Sequence, residues 1–360
     1  MKCFESSTRI IAGEGALHAL KEFGAKRVLV VADPFFYENG TAARIGELAG
    51  AEQTRIFSKV QPDPSVELAA EGAAAVKEFQ PELVVALGGG SAMDCAKAMV
   101  YFAKTQAVLV AVPTTSGSGS EVTDFSILSH GGVKHPLVDP ALRPRAAILD
   151  AQLLTQLPKG LIADTGFDVI CHALESYVAE GSTMITDALA LEAFRTVYAL
   201  LPASYAGDQK VRMKIHMAST MAGMAFNQAG LGLCHAMAHA LGGAFHVPHG
   251  RLNAILLPAV VESNAHAAGQ KYARLALETG IGGSAQTLAV RNLKNALIRL
   301  RRELNMPDTL TQAGVDVRKL RQQKEALVEA VLRDPCCSGN PLKVEAFTVR
   351  GILEAVAGHG

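Results

Sequence analysis

The stretch ELVVALGGGSAMDCAKAM, residues 82–99, passes from a short apolar run into three consecutive glycines and then into a helical pattern opened by Ser91. An uninterrupted apolar run bounded by glycine reads as a strand buried on both faces, the kind found in parallel sheets. Gly88, Gly89 and Gly90 lack the side chains that would hold a backbone away from a pyrophosphate. The helix that follows offers unpaired N–H groups and the positive end of its dipole to an anion. The pattern is not GxGxxG, however, and a glycine-rich turn between strand and helix is common. Taken alone, the stretch leaves a phosphate cradle and a plain tight turn equally open.

Moving outward, RVLVVAD (27–33), AVLVAVPTT (107–115) and AAILD (146–150) repeat the buried-strand pattern, with helical periodicity between them in VELAAEGAAAVKEF (66–79) and SAMDCAKAMVYFAK (91–104). Strands alternating with helices predict βαβ units and a Rossmann-like α/β fold. These strands end in Gly, Asp or Thr, at the edge where such sheets place their ligand crevice. PTTSGSGSEVT (113–123) adds hydroxyls and glycines suited to ribose and phosphate. Asp33 closes its strand where a carboxylate can bind ribose hydroxyls and repel a 2′-phosphate, which favours NAD over NADP. It precedes Gly88 by 55 residues (88 − 33) instead of following the glycines by about 20, as the usual fingerprint requires. A cap before Pro34 is the competing reading.

The texture changes after LDAQLLTQLP (149–158), beyond which the periodicity is helical throughout. Two domains are expected, an α/β dinucleotide-binding domain over 1–157 and an all-helical metal-binding and catalytic domain over 158–360. Composition fits two buried cores, with 49% hydrophobic and 19% charged residues. Acidic and basic residues balance at 34 each, so no net field would hold nucleic acid or an anionic membrane. MKCFESSTRIIAG lacks the features of a secretion signal, and no apolar run could span a bilayer. The six cysteines (3, 95, 171, 234, 336 and 337) show no CxxC pairing and read as reduced thiols of a cytoplasmic protein.

The helical part carries the chemistry. In TGFDVICHALESY (165–177), Asp168 and His172 stand four apart and share a helix face. GLCHAMAHALGGAFHVPHG (232–250) holds His235, His239, His246 and His249, four of the chain's eleven histidines. His235 and His239 share a face; His249, between Pro248 and Gly250, is expected on a turn just past the helix. One carboxylate with three imidazoles suits Fe²⁺ or Zn²⁺ and leaves Lewis acidity for a substrate oxygen. Any single histidine here could be an ordinary core or surface residue, but the joint pattern argues for a metal. Cys171 and Cys234 precede His172 and His235 by one residue, about 100° away around the helix, and are expected to pack rather than ligate. His246 has no periodic partner and is left as a residue that could line a pocket.

TGFDVICHALESY, CHAMAHALGGAFHVPHG, GGGSAMD and PTTSGSGSEVT together resemble the iron-containing (group III) alcohol dehydrogenases. The resemblance runs from the Thr-x-Ile-x-x-Gly-x-Gly opening (8–15) to Asn340-Pro341. It implies an α/β nucleotide-binding domain followed by an all-α metal-binding domain, the arrangement shared with dehydroquinate synthase. It assigns the metal to Asp168, His172, His235 and His249, and proton transfer to His239, which spacing alone could not separate from the ligands. It assigns cofactor contacts to Asp33, Gly89, Gly90, Ser91, Asp94, Thr114, Thr115, Ser118 and Lys134. Two departures stand out: Asp63-Pro64 where the family often has Asn-Pro, and NPLK (340–343) where Asn-Pro-Arg is usual.

The expected activity is hydride transfer between NAD(H) and a short primary alcohol or aldehyde such as 1-propanol/propanal or ethanol/acetaldehyde. One divalent ion would assist, Fe²⁺ first and Zn²⁺ second. Phe125, Phe167 and Phe226 are expected to wall an apolar pocket, and a homodimer or larger homo-oligomer is expected. A polyol dehydrogenase acting on 1,2-propanediol, 1,3-propanediol or glycerol is the alternative within the class. A dehydroquinate synthase-like lyase would need a Lys/Arg cluster for substrate phosphate, and none flanks the metal motif. A non-enzymatic metal or nucleotide sensor would leave the coexistence of both motifs unexplained.

Overall fold

The computed structural model describes residues 4–131 and 133–358, so Cys3 lies outside the described residues. Among the described residues, eight strands precede residue 150: β1 (Arg9–Ala12), β2 (Arg27–Ala32), β3 (Gln53–Phe57), β4 (Leu83–Gly88), β5 (Val108–Pro113), β6 (Phe125–His130), β7 (Val133–Val138) and β8 (Ala146–Leu149). Helices α1 (Pro34–Glu38), α2 (Thr41–Leu48), α3 (Val66–Phe79) and α4 (Gly90–Ala103) lie between them. Six strands form one parallel sheet in the order β1-β8-β5-β4-β2-β3.

The sheet is buried on both faces, as its uninterrupted apolar strands require. Val28, Val30, Leu83, Val85, Leu87, Val110 and Val112 point to one side, against Leu20 and Ile45. Leu29, Val31, Val84, Ala86, Leu109 and Ala111 point to the other, against Val76, Met93 and Met99 of α3 and α4. The antiparallel pair β6–β7 departs from the purely parallel expectation. Both strands mix polar with apolar residues, so their sequences carry no buried-strand signal.

Beyond residue 150 the long elements are helices: α5 (Lys159–Val178), α6 (Met184–Ala206), α7 (Arg212–Ala229), α8 (Leu233–Phe245), α9 (His249–Glu278), α10 (Gln286–Glu303), α11 (Val317–Arg333) and α12 (Ala346–Ala357). The chain forms two compact units. One comprises Glu5–Leu157 with Arg212–Gly223; the other comprises Pro158–Val211 and the chain from Met224 onward. Within the first unit, α7 is fastened to the loop after β5. Ser116 Oγ lies 3.0 Å from His216 Nδ1, and Thr220 Oγ1 donates to Glu121 at 2.6 Å. A Cβ on Gly223 would stand 2.8 Å from the Gly119 carbonyl oxygen, so the two backbones touch.

Two expectations are corrected, those for His249 and Phe167. His249 is the first residue of α9, not part of a turn after α8. Pro248 cannot continue α8 but suits the position just before a helix. His246 is exposed and closes α8 in the left-handed conformation, φ 55°. Phe167 is fully buried in α5 and belongs to the core.

Candidate metal and cofactor sites

α5 and α9 meet because Gly250 permits it: a Cβ there would overlap the Asp164 carbonyl oxygen. Arg251 then donates from Nε and Nη2 to the Asp164 carboxylate at 3.2 and 2.9 Å. This docking brings His249 to Asp168, one turn along α5 from Asp164. His249 Nε2 lies 3.6 Å from Asp168 Oδ1, and His235 Nε2, from α8, lies 3.8 Å from the same oxygen. Ligand atoms of Asp168, His235 and His249 all fall within 4.8 Å of one another. Ligands about 2.1 Å from a tetrahedral ion stand roughly 3.4 Å apart, so the spacing fits one first-row divalent ion.

The electrostatics fit too. Burial alone would raise the Asp168 carboxyl, but the facing His172, His249 and His235 outweigh it and hold it below its ordinary value. Burial pushes His249 well below its ordinary value, which favours the neutral, ligating imidazole. Burial also opposes charge on His235, yet Glu175, Asp168 and Asp334 overcome it and raise its pKa. That rise reports a negative local field, the field a cation would satisfy.

His172 is buried but outside the three-residue cluster. Its ring stacks on His235 at 4.6 Å between centroids and on Phe226 at 4.4 Å. His239 is also outside it: its Nδ1 lies 2.8 Å from Asp334 Oδ2, and its ring stacks on His249 at 5.2 Å. Cys171 and Cys234 are buried, and burial pushes both thiols up, Cys234 to about 11. Both thiols are weakly acidic and neither belongs to the Asp168–His235–His249 cluster, although Cys171 Sγ stands within 4.8 Å of ligand atoms of Glu175 and His235 in a second group.

Sequence reasoning missed three polar residues here. Asn253 Nδ2 donates to Asp168 Oδ1 at 2.7 Å and lies 3.2 and 3.4 Å from Nε2 of His249 and His235. Standing four after His249, it repeats the spacing already used for Asp168 and His172. Glu175, within hydrogen-bond reach of His235 Nδ1, stands seven after Asp168 on the same helical stripe. Asp334 is 95 residues from His239, and no local pattern points to it.

In the α/β unit, β2 pairs with β4, with Ala32 opposite Leu87, so Asp33 stands beside the glycine turn despite their separation in sequence. Asp33 Oδ2 lies 3.8 Å from where a Gly88 Cβ would be, while Oδ1 accepts the Phe36 N–H at 3.2 Å as the cap of α1. Both readings of Asp33 are therefore compatible. β5 pairs with β4 on the other side, bringing the hydroxyl loop to the same edge. A Cβ on Gly89 would meet Thr115 Oγ1 at 3.1 Å, and one on Gly90 would meet Ser118 Cβ at 3.2 Å. Thr114 N donates to Gly88 O at 3.0 Å. Ser91 lies in the first turn of α4. Asp94, pushed up to about 6 by burial, accepts from Ser120 Oγ at 3.2 Å. Lys134 pairs with Asp63 at 2.6 Å, which ties together two positions that the sequence had treated separately.

Comparison with known proteins decides the family. Residues 7–151 match the profile of iron-containing alcohol dehydrogenases, and residues 162–357 match that of the C-terminal part of the Fe-containing alcohol dehydrogenase family. The chain belongs to the iron-containing alcohol dehydrogenases. It is 40% identical over 370 residues to a 1-propanol dehydrogenase of Salmonella typhimurium, covering 98% of this chain and 99% of that one. It is 33% identical to an NADPH-dependent butanol dehydrogenase of Clostridium saccharobutylicum, with 96% of each chain covered. The solved iron-containing alcohol dehydrogenase of Thermococcus thioreducens superposes with a TM-score of 0.92 at 34% identity, covering 98% of this chain and 99% of that one. As a member of the iron-containing alcohol dehydrogenases, this protein is a metal-dependent oxidoreductase of alcohols. No helix among the described residues is long and apolar enough to cross a membrane.

Proposed function

We propose that the protein interconverts a short primary alcohol and its aldehyde, with 1-propanol/propanal as the leading pair. The α/β unit would serve the dinucleotide and the helical unit the metal. The observation that carries this reading is the convergence of Asp168, His235 and His249 within 4.8 Å; the His172 ring stacks on His235 beside them, which supports our reading of it as the fourth ligand. A bound divalent ion supplies electrophilic stabilisation of the substrate oxygen, and NAD(H) supplies the hydride chemistry.

The chain's own residues do the rest. Asp168 stays ionised and His249 neutral, the protonation states in which each can ligate. Asp334 accepts from His239 Nδ1, leaving Nε2 as the position at which His239 picks up and releases the substrate proton. Gly89, Gly90 and Ser91 offer backbone to the pyrophosphate. Thr114, Thr115, Ser118, Asp94 and Lys134 surround the rest of the dinucleotide, and Asp33 holds the adenosine ribose and disfavours a 2′-phosphate. Cys95, Cys171, Cys234, Cys336 and Cys337 are all free thiols, which supports a reducing, cytoplasmic setting.

The test follows NADH absorbance with Fe²⁺- or Zn²⁺-loaded protein and a series of aldehydes from ethanal to butanal. Asp168→Ala and His249→Ala should each lose bound metal and lower turnover on the order of 100-fold or more. A variant that lacks metal yet turns over at the wild-type rate sinks the reading.

A further inference from the structure

Glu175 is almost wholly buried, 4% exposed, yet it is not a metal ligand in the reading above, and among the described residues it forms no ion pair with a Lys or Arg. Its carboxylate accepts at both oxygens. Oε1 takes the Cys234 N–H at 2.6 Å, and Oε2 takes the Gly232 N–H at 3.0 Å and the His235 N–H at 3.3 Å. The remaining first-turn donor, Leu233 N–H, goes to Asn340 Oδ1 at 3.2 Å. Gly232 leaves room for this: a Cβ there would stand 2.9 Å from both Glu175 Oε1 and Asn340 Oδ1. The same Oε2 lies 2.6 Å from His235 Nδ1. A carboxylate already receiving three backbone N–H groups has only acceptor capacity left, so the proton of that contact belongs to Nδ1. The other ring nitrogen, Nε2, then carries the lone pair, and it faces Asp168 and His249.

We propose that Glu175 is the positioning residue of the metal centre. By holding the start of α8 and the Nδ1–H of His235 with one carboxylate, it selects the tautomer that presents Nε2 to the ion. It also fixes the ring relative to its own helix. A carboxylate in this position raises the basicity of the ligating nitrogen, and loss of such partners lowers metal affinity about 10–100-fold. The proposal rests on reading His235 as a ligand.

The experiment titrates Zn²⁺ into wild type, Glu175→Gln and His235→Ala in competition with a chromophoric chelator, and follows NADH binding by fluorescence in parallel. The amide of Glu175→Gln must turn its NH₂ group either toward the Cys234 N–H, losing that one bond, or toward the Gly232 N–H, the His235 N–H and His235 Nδ1, losing at least the two backbone bonds. E175Q is expected to bind Zn²⁺ about 10–100-fold more weakly while NADH affinity stays within about 2-fold. Zn²⁺ affinity of E175Q within about 3-fold of wild type overturns the proposal, even if its thermal midpoint falls, since a purely structural cap would lower only the latter. If His235→Ala keeps wild-type affinity, the metal assignment itself is wrong. Should E175Q not fold, ¹⁵N-histidine spectra of Zn²⁺-loaded wild type decide, with the His235 signal identified by its loss in His235→Asn. Protonated Nδ1 supports the proposal, and protonated Nε2 ends it.

Discussion

His216 shows how one side chain can carry stability without touching the chemistry. It is buried on α7, with Nδ1 3.0 Å from Ser116 Oγ, and burial pushes its pKa down to about 4 from 6.5. A base with a depressed folded pKa is neutral in the fold, while the unfolded chain takes up a proton below pH 6.5. Its contribution is therefore fully present above pH 6.5 and is lost as pH falls toward 4, by about 1.4 kcal/mol per pH unit and on the order of 3 kcal/mol in total. His216→Asn removes this dependence. Urea midpoints of wild type and variant, compared at about pH 7.5, 5.5 and 4.5, should show the wild-type advantage shrinking with acid. A difference that stays constant would rule the mechanism out. Individual residues differed in how far the sequence exposed them. Asp168, His172, His235 and His239 were visible because an i, i+4 spacing has only one meaning on a helix. Asp334 was not, because a lone carboxylate 95 residues from its histidine leaves no periodic trace.

Between elements, the decisive contact is the docking of α9 on α5. Gly250 follows His249 and packs its α-carbon onto the Asp164 backbone, and Arg251 completes the joint through two hydrogen bonds to Asp164. Gly250→Ala drives a methyl into the Asp164 carbonyl oxygen, a backbone atom that cannot swing aside. The start of α9 must lift, and His249 moves with it. We expect G250A to remain helical by circular dichroism but to lose about 10-fold or more in metal affinity, measured by chelator competition. Unchanged affinity would mean that the joint does not set the His249 position. The sequence offered His249-Gly250 only as a turn after a helix, because proline and glycine mark a break without telling which side of it a new helix begins. At this scale β6 and β7 were also missed, since half-polar strands lack the uninterrupted apolar run that identified β2, β4, β5 and β8.

Across the chain, the metal centre draws its expected ligands and their partners from α5, α8, α9 and the segment after α11, so ion binding ties together helices that are distant in sequence. An ion that binds the folded form and not the unfolded chain stabilises by mass action, about 2.7 kcal/mol at a hundred times the dissociation constant. Stripping metal with a chelator should therefore lower the thermal midpoint by about 5–10 °C, and Zn²⁺ should restore it. A midpoint indifferent to metal would argue against an ion bridging these helices.

Local pattern was enough to separate the α/β part from the helical part, to mark the glycine turn at 88–90 and to pick out the histidine helix. Each of those signals is a spacing within one element, where backbone geometry converts sequence distance directly into direction. Packing alone placed Asp33 beside Gly88 through the β2–β4 pairing, drew Asp168, His235 and His249 together, and gave His235 and His239 their carboxylates. The reason is that helices and strands find one another through Val, Leu, Ala and Gly surfaces. Such surfaces are nearly interchangeable as letters, and their partners are settled only when the shapes meet.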